Sequence, residues 1–195
     1  MIPREDEGMT GIILSGGKNA RMGTNKAFLE IGGEKILDRT IRIFQELFQE
    51  IILVTNSPLE YLDYDIRIVT DIIKGKAALG GLYTGLFYAS HRHAFVLPCD
   101  MPSIKIDFIR FMIEKIANYD IVVPQTTGGL EALHAIYSKR CLPVIKRHIE
   151  QDNLKINTIY KKSRTLTLSQ KTVASFDPTE GMFLNINSSD DLLKL

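Results

Sequence analysis

Between Leu14 and Lys26 the chain reads LSGGKNARMGTNK, which places three glycines and three cations within thirteen residues, directly behind the apolar run Gly11-Ile12-Ile13-Leu14. Glycine lets backbone amides approach a ligand closely and clustered cations suit an anion, so the stretch points to phosphate chemistry. It is not a P-loop, because the glycine after Gly17 is Gly23 and the lysine comes three residues later, and it lacks the G-x-G-x-x-G dinucleotide fingerprint. What remains is a glycine loop at Gly16 and Gly17 whose amides can face a phosphate, with Arg21 as a fork-shaped donor and Lys26 as a point charge. The same letters also fit a tight strand-to-helix turn with solvated Lys and Arg.

A second candidate is LPCDMP, Leu97 to Pro102, where an apolar stretch ends in Asp100 between two prolines. A carboxylate at the end of a buried strand is placed to hold Mg2+, which takes one or two carboxylates together with phosphate oxygens and water. The other reading is an aspartate capping a helix begun after Pro102. Asp71, in RIVTD, has the same two readings. In GKAALGGLYTGL, Gly75 to Leu86, Gly80 and Gly81 open an expected helix; they either let a base or ribose lie against backbone or serve helix packing. The histidines carry little signal: His91 and His93 fall in a polar turn, His148 on a charged helix face and His134 in an apolar strand, and none reads as a metal ligand. No Ser, His and Asp arrangement stands out for nucleophilic catalysis.

The elements that must position these groups are legible in the apolar pattern. Short runs at Thr10–Leu14, Glu50–Thr55, Ala94–Pro98 and Asp120–Pro124 predict strands buried on both faces. Between them ILDRTIRIFQELF, an Ala/Gly-rich segment from about Gly81 to Ser90, and IDFIRFMIEKIAN predict helices. The alternation implies an α/β fold: a Rossmann-like, open, mostly parallel twisted sheet with helices on both faces. Ligands of such sheets sit beyond the carboxyl ends of the strands, which is where Gly16 and Gly17, Asn56 and Asp100 fall. Together these groups favour a nucleotide and its metal. Further on, Leu133–Tyr137 predicts a strand, Lys139–Gln151 a helix, and Arg164–Leu168 with Val173–Phe176 a pair of edge strands around Ser169-Gln170-Lys171. The ending NINSSDDLLKL predicts a loop and a short helix capped at Ser188 or Ser189.

The chain has 195 residues, 45% of them apolar, and shows no repeat or linker, so one domain over 1–195 is expected, with residues 1–9 as a frayed N-terminal tail. A net charge of +1 supplies no global field for nucleic acid or a membrane surface, which leaves a small-molecule partner. No apolar run approaches the roughly 20 residues of a membrane span, and the start lacks the pattern of a signal peptide. Cys99 and Cys141 fit neither a metal knuckle nor a disulfide framework and suit buried positions in a cytoplasmic protein.

In order along almost the whole chain, LSGGKNARMGTNKAFLEIGGEKIL, Asn56, the VTD at Asp71, ALGGLYTGL, VLPCDMP, LEALHAIY and FLNINSSDDL resemble the successive blocks of the molybdenum cofactor guanylyltransferases. The opening and LPCDMP blocks are shared with the wider nucleotidyltransferase superfamily. The resemblance implies a nucleotide-diphospho-sugar transferase-like fold and transfer of GMP from GTP to the terminal phosphate of molybdopterin or Mo-molybdopterin, releasing pyrophosphate. It implies that Leu14, Ser15 and Gly16 line the nucleotide site, that Lys26 and Asp71 contact the nucleotide with Asn56 in the same pocket, and that Asp100 holds Mg2+. Arg21 would then face the phosphates, and Asn185 and Asn187 would lie on the pterin side. Molybdoenzymes or other cofactor-assembly proteins are the implied macromolecular partners. The related alternatives are a CTP- or UTP-dependent enzyme with a pterin, sugar-phosphate or isoprenoid-phosphate acceptor, and a non-catalytic nucleotide-binding accessory protein. Three positions depart from the family pattern: Asn19 stands in place of Ser, and Ala78 and Ala132 in place of Pro, which is expected to loosen two loops.

Overall fold

The computed structural model describes residues 8–16 and 25–186. Among these the strands are β1 (Thr10–Ser15), β2 (Glu30–Ile31), β3 (Glu34–Lys35), β4 (Glu50–Thr55), β5 (Arg67–Val69), β6 (His93–Pro98), β7 (Ile121–Thr126), β8 (Gly129–Leu130), β9 (Ala135–Ser138) and β10 (Thr165–Leu168). The α-helices are α1 (Ile36–Leu47), α2 (Ala77–Tyr88), α3 (Ile106–Glu114), α4 (Leu142–Glu150) and α5 (Gln170–Phe176). The main sheet runs in the order β10-β7-β9-β6-β1-β4-β5, with β8 paired to β7, and β2 and β3 form a separate hairpin. Neighbours β6, β1, β4 and β5 are parallel, as are β7 and β10. The exception is β9, antiparallel to both β6 and β7, which makes the sheet mixed within a mostly parallel frame.

Every residue of β1 is buried, because helices cover both sides. Ile13 joins the core beneath α1, α3 and α5, whereas Ile12 and Leu14 join the core beneath α2 and α4. Two glycines set these distances. A Cβ on Gly11 would lie 2.5 Å from a ring carbon of Phe44 and 2.6 Å from one of Phe48, and a Cβ on Gly85 would lie 2.7 Å from Ile12. Both helices therefore approach β1 more closely than any side chain allows.

Several elements differ from the sequence expectation. Helix α2 begins at Ala77, earlier than expected, because Ala78 and Leu79 are good helix formers ahead of the glycine pair. Val173–Phe176 is not an edge strand but part of α5: the Ser169 side chain accepts from the Thr172 amide as an N-cap, and buried Val173 turns to the core. A short 3-10 turn, Lys139–Cys141, precedes α4. His93 starts β6 and is buried, and His148 turns inward to place Nδ1 2.9 Å from the Val144 carbonyl, instead of lying on a charged face. Met9, expected within a frayed tail, is buried and its amide donates to Gln49 Oε1 at 2.7 Å. The expected terminal helix, Asn187 and the loop positions Gly17, Asn19 and Arg21 lie outside the described residues.

Candidate active site

Strand order reverses at β1, whose neighbours β4 and β6 lead to opposite halves of the sheet, so a crevice opens beyond its carboxyl end. Two contiguous lobes occupy it, of about 460 Å3 and about 300 Å3, sharing Leu14, Gly16, Pro98 and Leu133 as a common wall.

The larger lobe lies towards β4 and α2. Asn56 follows β4 and Asp71 follows β5; Asn56 Nδ2 donates to Asp71 Oδ2 at 2.8 Å, and both line the lobe. Asp71 is thus no helix cap: α2 begins six residues later. Gly81 also faces the lobe, where a Cβ would come within 3.3 Å of Leu14. Gly80 does not; its missing Cβ makes room for the Ile73 carbonyl, 3.1 Å away, which is the packing role. At the rim Gly75 (φ +74°) and Ala77 (φ +48°) carry the chain through left-handed geometry, which costs an alanine about 1 kcal/mol and tightens the turn into α2.

The smaller lobe is lined by Asp100, Glu131 and Asn185, with apolar contributions from Met101 and Leu133. Asp100 follows β6 and lies well before α3, whose N-cap is Lys105, so the helix-capping alternative does not hold. Its Oδ2 is 3.3 Å from Lys26 Nζ, and both side chains are largely shielded from solvent. Its carbonyl accepts from the Ile186 amide at 2.9 Å, which brings the C-terminal segment and Asn185 to the lobe. The Ala132 amide, which a proline would lack, donates to the Leu130 carbonyl at 3.0 Å and so offsets part of the lost ring constraint.

One network has no signal in the sequence. Tyr61, buried in the turn Pro58–Tyr61, places its hydroxyl 2.5 Å from Ser15 Oγ and receives a hydrogen bond from Asn25 Nδ2 at 2.6 Å. Ser15 and Asn25 flank the glycine-rich loop in sequence, and Asn25 also caps the turn Lys26–Phe28 by accepting from the Ala27 amide. Tyr61→Phe keeps the ring but leaves two polar groups short of a partner, and should destabilise the fold by about 1–3 kcal/mol, measured by urea unfolding.

His134 immediately precedes β9 and is wholly buried, and neither ring nitrogen has a hydrogen-bond partner among the described residues. The rings of Phe183, Phe95 and Phe108 pack on it at 5.0, 5.1 and 6.0 Å. Burial pulls its pKa down to about 3, below an unfolded value of about 6.5. The unfolded chain therefore binds the extra proton first. Stability from this group is full above pH 6.5 and is lost as pH falls towards 3, by about 2 kcal/mol at pH 5. His134→Phe should raise stability and flatten this loss, seen as a smaller difference in urea midpoint between pH 7 and pH 5 than in the wild type. Cys99 and Cys141 are buried free thiols, each pushed up to about 11 by burial.

Comparison with known proteins agrees with this architecture. The sequence model of the MobA-like NTP transferase domain matches residues 11–166. The chain belongs to this family. It is 38% identical to a molybdenum cofactor guanylyltransferase of Desulfosudis oleivorans over 96% of this chain and 94% of the relative. Its fold matches that of molybdopterin-guanine dinucleotide biosynthesis protein A from Archaeoglobus fulgidus with a TM-score of 0.81 and 24% identity, over 95% of this chain and 96% of the other. It also matches 4-diphosphocytidyl-2C-methyl-D-erythritol synthase from Anaerococcus prevotii, with a TM-score of 0.70 and 13% identity over 96% and 94% of the two chains. The MobA-like fold is therefore shared with a protein whose name specifies a different base.

Proposed function

We propose that the chain is a single nucleotidyltransferase domain that transfers GMP from GTP to the terminal phosphate of molybdopterin, with or without bound molybdenum. The observation that carries this reading is the two-lobed cleft at the switch point, with the Lys26–Asp100 pair beside the wall common to both lobes. The larger lobe takes the nucleotide against Leu14, Gly16, Asn56, Asp71 and Gly81, and the smaller takes the acceptor with Asn185. Ser15 acts from beneath, through Tyr61. Gly17 and Arg21 are assigned to the phosphates, and Asn187 to the pterin side, on the sequence alone.

An oxygen of the molybdopterin phosphate attacks the α-phosphorus of GTP; the new P–O bond forms as the bond to the bridging oxygen breaks and pyrophosphate departs. The attacking phosphate is already ionised at neutral pH, so the residues need to position and to balance charge rather than to remove a proton. Lys26 and Arg21 balance the leaving group. The donor set fits Mg2+: Asp100, just after β6 on the wall of the cleft, offers a carboxylate that this ion would combine with phosphate oxygens and water. When bound, Mg2+ offsets phosphate charge. No helix among the described residues is long and apolar enough to cross a membrane. The reading extends to a cytoplasmic enzyme that hands its product to molybdoenzymes or cofactor-assembly proteins, on the family resemblance alone.

The test is a panel of GTP, CTP, UTP and ATP with Mg2+, read by thermal shift and by pyrophosphate release with molybdopterin. GTP alone is expected to raise the midpoint and to support turnover, since a ligand that binds only the native state stabilises it. Turnover with CTP alone would replace the guanylyl assignment, and binding without turnover would make the chain an accessory nucleotide-binding protein.

A further inference from the structure

We infer that Glu131 reads the 2-amino and N3–H edge of the acceptor's pterin ring and so determines which heterocycle the smaller lobe accepts. The inference rests on the molybdopterin acceptor proposed above. Glu131 lines the smaller lobe together with Asp100 and Asn185. Its backbone is fixed, the amide donating to the Pro124 carbonyl at 3.0 Å, and one carboxylate oxygen accepts from Thr126 Oγ1 at 2.9 Å. It makes no ion pair among the described residues, and the carboxylate of Glu180 adds repulsion. Half-buried, the group is held above its ordinary pKa chiefly by desolvation, which the hydrogen bond from Thr126 only partly offsets.

Such a carboxylate repels a phosphate and attracts neighbouring N–H donors. The acceptor carries both kinds of group at opposite ends. Its phosphate suits the Lys26–Asp100 end of the lobe, and the pyrimidine half of its ring presents two adjacent donors, the 2-amino group and N3–H, that match the two oxygens of a carboxylate. Met101 and Leu133 supply apolar surface for the ring faces. The charge distribution of the lobe therefore orients the acceptor with its phosphate towards the nucleotide and its ring towards Glu131.

The experiment compares full-length wild type, Glu131→Gln and Glu131→Ala. Binding of pterin and of lumazine, which has a carbonyl in place of the 2-amino group, is titrated by ligand fluorescence, alongside KM for GTP and for molybdopterin and the thermal midpoint. Wild type is expected to prefer pterin by about tenfold or more, because a buried acceptor left facing a carbonyl is strongly disfavoured. In both variants the preference should collapse and KM for molybdopterin should rise about tenfold, with KM for GTP and the thermal midpoint held. Equal wild-type affinity for the two rings, a pterin preference that survives in both variants, or a rise in KM for GTP instead would overturn the inference. So would equal losses of pterin and lumazine with a lowered midpoint, the mark of a purely structural role. A wild type that prefers pterin yet transfers no guanylyl group would remove the proposed function and leave the recognition by Glu131 standing.

Discussion

Asp100→Ala is expected to lower guanylyl transfer by about a thousandfold or more, equivalent to about 4 kcal/mol in the transition state, while the protein stays folded. The side chain stands at the carboxyl end of β6 on the wall of the smaller lobe and contributes no apolar packing to either core. Its structural contributions are the backbone carbonyl that accepts from Ile186, which alanine retains, and the pair with Lys26, whose loss should lower the thermal midpoint only modestly. What the variant loses is the carboxylate proposed to hold Mg2+ beside the phosphates, together with the pair to Lys26. Asp100→Asn should be nearly as inactive, because it preserves shape and removes charge. Pyrophosphate release at saturating GTP and Mg2+, with circular dichroism as the control on folding, checks both variants. Near-normal turnover would reduce Asp100 to an ion-pair partner of Lys26.

Lys26→Met is expected to weaken GTP binding by about tenfold to a hundredfold, the loss of one charge-assisted contact worth about 1.5–3 kcal/mol. Methionine is preferable to alanine here because the lysine stem is largely buried, its side chain only 13% exposed, and methionine keeps most of that packing. The substitution also removes the cation 3.3 Å from Asp100, so a modest fall in thermal midpoint should accompany the loss. Titration calorimetry at fixed Mg2+ separates the two effects, since the midpoint is read without nucleotide. Unchanged GTP affinity would take Lys26 out of the phosphate site and leave it as the ion-pair partner of Asp100.

Much of the frame that carries these residues was legible along the chain. Continuous apolar runs identify β1, β4, β6 and β7 because strands covered on both faces have no solvent side to mark with polar residues. The Leu37, Ile41, Phe44 and Phe48 spacing identifies α1 in the same way. The expectation failed where short segments carry ambiguous signals. Val173–Phe176 is β-branched and aromatic enough for a strand, yet the Ser169 cap and the burial of Val173 make it helical. His148 sits among charges in sequence but turns inward on α4. Local composition does not report which face a neighbour covers.

The candidate site divides along the same line. From the sequence alone come the α/β class, the proposal that the glycine-rich stretch faces phosphate, and the positions of Asn56, Asp71 and Asp100 after strands, because residue type and local periodicity act over a few residues. Only the tertiary structure decides that Asp100 pairs with Lys26, 74 residues away, and that Asn56 holds Asp71. It alone places Glu131 and Asn185 on one lobe, Tyr61 beneath Ser15 and Asn25, and Gly80 in packing rather than on the cleft. The physical reason is that parallel strands join their ends only after long crossovers, so the register of β1 against β4 and β6 brings the candidate groups together, and that register is set by the apolar faces packed beneath the helices on both sides.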